Sequence, residues 1–139
     1  MKESARIRLV KGSKQETVTL QEVKEALERY RETFSLTGRQ LDWSYQDAAF
    51  PYEVEEREQS GSPFLFLKGT DPRLHHGLVI GVGRESEEGP YFIQVVLPGT
   101  STHGDKAKAN EFCKYLARTF KGELHLFNGR IMYFNDRKG

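Results

Sequence analysis

An α+β fold, a mainly antiparallel sheet packed with two principal amphipathic helices, is expected from three features of this 139-residue sequence. Two stretches, 20–34 and 109–120, repeat apolar residues every three or four positions, the period of a helix with one buried face. Short runs of β-branched and aromatic residues surround them, and Gly, Pro, Asn and Ser bound those runs as they bound strands. The last such runs bracket the second helix, so residues 78–134 read as a β-β-α-β-β unit preceded by a β-(β)-α unit.

Taken in order, Ile7 and Leu9 alternate with Arg6 and Arg8 as in a half-buried strand, and 11–14 turns the chain. Gln15 to Val18 is expected to pair back as a short strand. Thr19 with Glu22 forms a capping box, worth about 1 kcal/mol, ahead of the stripe Leu20, Val23, Leu27, Tyr30 and Phe34. This helix is expected to run to about Leu36 and stop at Gly38, with Glu25 and Arg29 paired along it. Leu41, Trp43 and Tyr45 then alternate like a strand, and 48–52 reads as an apolar crossing bent at Pro51. Residues 53–62 are charged and without period, the pattern of a mobile loop or linker, before a strand at Phe64–Leu67.

The runs Leu78–Val82 and Tyr91–Leu97 predict a hairpin around a loop at 84–90. Asp105 is expected to cap a helix carrying Ala109, Phe112, Cys113, Leu116, Ala117 and Phe120 on one face, with Gly122 as its left-handed stop. Asn128-Gly129 suits a type I′ turn into Arg130–Phe134, and 135–139 is expected to fray. The length fits one domain over 1–139. Both central runs are apolar on each alternating face, so the sheet needs a second cover, either the Trp43 segment or a second copy of the chain. A homodimer is therefore a candidate assembly.

Charge excludes some classes of function. With 21 basic against 20 acidic residues the chain is neither a nucleic-acid coat nor an acidic tail. A lone cysteine, Cys113, permits no internal disulfide, and nowhere do 18 apolar residues run together, so a cytoplasmic protein without a membrane span is expected.

The sharpest local pattern is Gly99–Lys106, a Gly/Ser/Thr loop between a strand and a helix, where backbone N–H groups can cradle an anion. Its two glycines imitate a P-loop, but Asp105-Lys106 stands where that motif needs Lys-Ser/Thr, which argues against nucleoside triphosphates. Ser101, Thr102, His103 and Lys106 remain candidates for a small anionic ligand, or for an enzyme using His103 as general base, against the simpler reading of a capping loop. Lys114, Arg118 and Lys121 form a basic stripe that could track phosphates, against the simpler reading of a solvated helix face. A zinc site would need His103, His125 and Asp71 or Asp105 to converge from distant segments, and His75 and His76 point opposite ways on any strand. No metal, cofactor or catalytic residue is assigned on this basis. The leading expectation is a non-enzymatic interaction domain with an unidentified protein partner, homodimeric or not.

The segments 10–15, 40–43, 48–52 and 104–110 together resemble a small family of proteins from bacilli, a domain of unknown function without an assigned activity. The resemblance implies a cytoplasmic bacterial protein with helices against an antiparallel sheet, and it transfers no catalytic residue.

Overall fold

In the computed structural model, residues 3–41, 50–71 and 73–135 are described, with side chains in the first helix as far as Thr33. The elements are β1 (Glu3–Leu9), α1 (Leu20–Leu41), β2 (Tyr52–Gln59), β3 (Ser62–Gly69), β4 (Gly77–Arg84), β5 (Tyr91–Leu97), α2 (His103–Phe120), β6 (Glu123–His125) and β7 (Ile131–Tyr133). The fold is α+β: seven strands form one sheet in the order β2-β3-β4-β5-β1-β6-β7, and each pairing is antiparallel. The first strand of the chain thus lies between β5 and β6, with Ile7 opposite Ile93 on one side and Leu124 on the other.

Alternation along the strands decides which side chains meet the helices. Ile7, Leu9, Leu65, Leu67, Leu78, Ile80, Ile93, Val95 and Leu124 point to one face and are buried, and Val23, Ala26 and Leu27 of α1 and Ala109, Phe112, Cys113 and Leu116 of α2 close over them. Each fully buried Leu, Ile or Phe contributes roughly 1.5–3 kcal/mol of transfer free energy, so this face holds the fold together. Phe50, 4% exposed, wedges between the helices and the sheet edge, with its ring 5.4 Å from that of Phe112.

The opposite, outer face is finished differently. Gly83 lies across from Phe92, whose ring covers the space a Cβ would take, and the Phe66 ring likewise covers Gly77. Arg6 then stacks over Phe92 at 4.2 Å and Arg57 over Phe66 at 4.1 Å, so each ring has sheet beneath it and a guanidinium above. These stacks partly shield both rings on that face.

Several local expectations change. Gln15–Val18 is not a strand; Gln15 instead donates to Glu22, reinforcing the Thr19–Glu22 capping box, which forms as expected. Helix α1 continues through Gly38 to Leu41, and Glu25 accepts from Gln21 rather than pairing with Arg29. The charged run 53–62 is not a mobile loop. It forms β2 and its turn into β3, a sheet-edge strand on which exposed charges are favoured because they discourage pairing with other chains. The two left-handed residues of a type I′ turn occur here, at Ser60 and Gly61. At Asn128-Gly129 only Gly129 is left-handed, in a three-residue loop closed by the Gly129 N–H to Leu126 carbonyl bond. Leu41, expected to open a strand with Trp43 and Tyr45, instead ends α1, and the rest of that expected strand, the crossing at Ala48–Ala49 and the fraying of 136–139 lie outside the described residues.

Helix α2 also ends otherwise than expected. Lys121, not Gly122, takes the left-handed conformation (φ 53°). Gly122 is required for space: a Cβ there would stand 2.5 Å from Ile7 Cγ2 and 3.0 Å from the Arg8 carbonyl of β1. Gly122→Ala is therefore expected to destabilise the protein by roughly 1–3 kcal/mol in urea unfolding, whereas Lys121→Gly is expected to be neutral or stabilising by up to about 1 kcal/mol.

Candidate functional site

The loop at 99–102 and the first turn of α2 meet the 71–77 segment at one buried carboxylate. Thr102 is the N-cap: its hydroxyl accepts from the Asp105 N–H (3.1 Å) while Asp105 Oδ2 accepts from the Thr102 N–H (3.0 Å). Asp105 is thus the third helical residue of a capping box rather than the cap itself. A Thr-x-x-Asp spacing gives this geometry because the short carboxylate turns back over the first turn. The same Oδ2 accepts from the backbone N–H groups of His76 (2.9 Å) and Gly77 (3.3 Å), and Oδ1 accepts from the Tyr52 hydroxyl at 2.5 Å. One fully buried side chain therefore joins β2, the 71–77 segment and α2.

The electrostatics follow from these contacts. Burial pushes the Asp105 carboxyl upward, but the Tyr52 hydroxyl and three backbone N–H groups outweigh it and hold it below the usual carboxylate range. Burial, then the hydrogen bond to Asp105, pushes the Tyr52 phenol far above its ordinary value, so it remains a donor. The His75 ring stands edge-on to Tyr52, centroids 5.3 Å apart, with its Nδ1 buried and without a hydrogen-bond partner. Desolvation holds His75 below its ordinary value; the charges of Asp105 and Asp71 oppose this and Lys108 adds to it. Gly104 lets the imidazole approach, since a Cβ there would meet the Leu74 carbonyl at 2.8 Å and His75 Nε2 at 2.9 Å.

Ser101, Thr102, His103 and Lys106 are brought together: they line one open cleft of about 320 Å³ with Glu3, Leu97, Pro98 and Gly99. Their chemistry is partly engaged. The Thr102 hydroxyl donates to the Leu74 carbonyl (2.7 Å), Ser101 Oγ lies 3.5 Å from the Gly77 carbonyl, and Lys106 Nζ pairs with Glu3 at 3.3 Å. His103 is exposed on the first turn of α2.

Lys114 and Arg118 of the basic stripe rim a second groove, about 370 Å³, with Tyr30, Thr33, Glu111 and Tyr115. Lys121 lies beyond it at the helix end, and Glu111 interrupts the stripe while holding Lys108 at 2.9 Å. The histidines have separate partners: His75 packs on Tyr52, His76 meets the Thr100 carbonyl, His125 pairs with Glu123 at 2.6 Å, and His103 is exposed. Among the described residues no cluster of three metal-ligating side chains occurs. Cys113 is buried, and desolvation pushes its thiol up to about 12, which makes it a core residue without nucleophilic character. The Tyr52–Asp105–His75 cluster went unread in the sequence, although the Thr102-x-x-Asp105 spacing was available as a signal.

Removing the phenolic donor should leave one carboxylate oxygen buried and unsatisfied, so Tyr52→Phe is expected to cost about 1.5–3 kcal/mol in denaturant unfolding, and Asp105→Asn about 3 kcal/mol or more. The pH dependence has a defined sign. His75 and Asp105 both hold fewer protons folded than unfolded, so each stabilises the fold above its unfolded pKa and loses that contribution on acidification. Melting temperature should fall in two steps, first below about pH 6.5 and again below about pH 4. Asp105→Asn should enlarge the first step, because the Asp105 charge favours protonated His75, and shrink the second to what Glu22 and Glu123, also held low by their hydrogen bonds, contribute.

The chain is similar to a protein of unknown function from Bacillus stearothermophilus whose crystal structure is known: 50% sequence identity over 86% of this chain and 90% of that one, with a TM-score of 0.59. No curated protein matches it. Residues 3–136 match the family described as Domain of unknown function (DUF1885), and with a relative at half identity along most of both chains, this chain belongs to that family.

Proposed function

We propose that this domain is a non-enzymatic interaction module of the cytoplasm that presents the outer face of its sheet to a protein partner. One observation carries the reading: among the described residues both helices pack on one face and no element covers the other, where Phe66, Val79, Phe92 and Val96 are only half-buried. Apolar strips left open on a soluble domain mark contact surfaces. Rings pinned beneath Arg6 and Arg57 add preorganised aromatic and guanidinium groups, the residue types that anchor protein interfaces. No described helix is long and apolar enough to cross a membrane, and the single thiol is buried in the core, so nothing calls for an oxidising compartment.

Two other readings rank lower for physical reasons. A small anion in the cleft beside Lys106 is supported by the gathering of Ser101, Thr102, His103 and Lys106, but Glu3 already neutralises the lysine and Thr102 is engaged in capping. Nucleic-acid binding through Lys114, Arg118 and Lys121 is opposed by Glu111 within the stripe, and on the outer face Arg8 and Arg57 are tied to glutamates.

A photo-crosslinking amino acid in place of Val79, compared with one in place of Lys24 on the helix side, tests the leading reading in living cells. Protein adducts concentrated at position 79 are expected. Adducts confined to position 24, or none at 79, would overturn it.

A further inference from the structure

The two ends of the sheet are built differently. At one end β2 carries Glu53, Glu55, Glu56, Arg57 and Glu58, so a second β2 laid against it would set glutamate beside glutamate. At the other end β7 is Ile131-Met132-Tyr133, with no charge, and Ile131 (40%) and Tyr133 (49%) are two of the three exposed large apolar residues among the described ones.

Pairing with β6 fixes what β7 turns outward. The Leu126 N–H bonds to the Arg130 carbonyl and the Phe134 N–H to the Gly122 carbonyl, with Met132 opposite Leu124 between them. In an antiparallel ladder the alternate residues, Ile131 and Tyr133, then direct their backbone groups away from β6. Their side chains lie on the outer face, since both sit one residue from Met132, which packs against the core on the helix side.

We infer that β7 is an assembly edge at which a second copy of this chain continues the sheet, β7 against β7 about a two-fold axis through Met132. This rests on the interaction reading above and names one partner. In that register Ile131 faces the partner's Tyr133 on each side of the axis, an aromatic and β-branched pair, and each Ile131 N–H donates to a Tyr133 carbonyl, an acceptor with two lone pairs. Met132 meets its own copy on the helix side. The strand is therefore complementary to itself, as a two-fold interface requires, and carries no charge to repel its copy. Both helical layers remain on one side, so the two outer faces join into one wider platform. Three residues per copy make a small contact, and the association is reversible.

Sedimentation equilibrium of the full chain from about 1 μM to about 1 mM should show a mass rising from 16.0 kDa toward twice that value. Ile131→Lys with Tyr133→Lys places lysine opposite lysine across the axis and should keep the chain monomeric throughout, as should Ile131→Glu with Tyr133→Glu. Mixing the two variants should restore a dimer, because lysine then faces glutamate at each position. A wild-type chain that stays monomeric, a lysine variant that still dimerises, or a mixture that stays monomeric would each overturn the inference. The outer-face reading fails separately: a dimer through β7 with no adduct at position 79 sinks that reading alone, and a monomer crosslinked at 79 to another protein sinks only this one.

Discussion

A carboxylate without access to water holds together three stretches that are far apart in the chain. Asp105 accepts from Tyr52 at the start of β2, from the backbone of His76 and Gly77 entering β4, and from Thr102 at the start of α2. An unpaired buried charge is costly enough to unfold a domain of this size, so these donors are obligatory once the side chain is enclosed. Their positions also set the angle at which α2 leaves β5 and the path of the segment carrying His75 and His76. The loop that looks like an anion site in sequence has therefore given its Thr102 N–H to the protein's own carboxylate.

The sheet shows a second constraint, that of covering its seven described strands with the two described helices. One face takes both helices and the buried Leu, Ile and Val side chains. On the other, glycines in β4 admit Phe66 and Phe92, and arginines from β2 and β1 close over the rings. A guanidinium over a ring shields apolar surface while remaining wet itself, which leaves the face soluble yet rich in the groups that bind proteins. The two sheet edges differ as well: β2 carries a row of charges, whereas β7 is short and uncharged.

The reactive side chains among the described residues are each engaged elsewhere. His75 faces a tyrosine, His76 a carbonyl, His125 a glutamate and Cys113 the core, so nucleophile, base and orienting group do not share a cleft among the described residues. The one cleft that gathers the expected polar side chains couples its lysine to Glu3.

Local periodicity was enough to determine the helices at 20–34 and 109–120, the β4–β5 hairpin, the Thr19–Glu22 cap and the α+β class, because each depends on neighbours three, four or two residues apart. Ser101, Thr102, His103 and Lys106 share a cleft because they lie close together in the chain at the start of α2. What depends on partners distant in sequence was decided only by the tertiary structure. The insertion of β1 between β5 and β6 is one case, and the conversion of the charged run 53–62 into an edge strand is another, since β3 must be in place before that charge reads as protection. Gly122 shows the same limit: its position after a helix suggested a left-handed stop, but the reason for glycine is the approach of β1, 115 residues earlier in the chain at Ile7. Asp105 is the clearest instance, for its spacing from Thr102 announces a cap, while Tyr52, 53 positions away, is what makes it the carboxylate on which the fold turns.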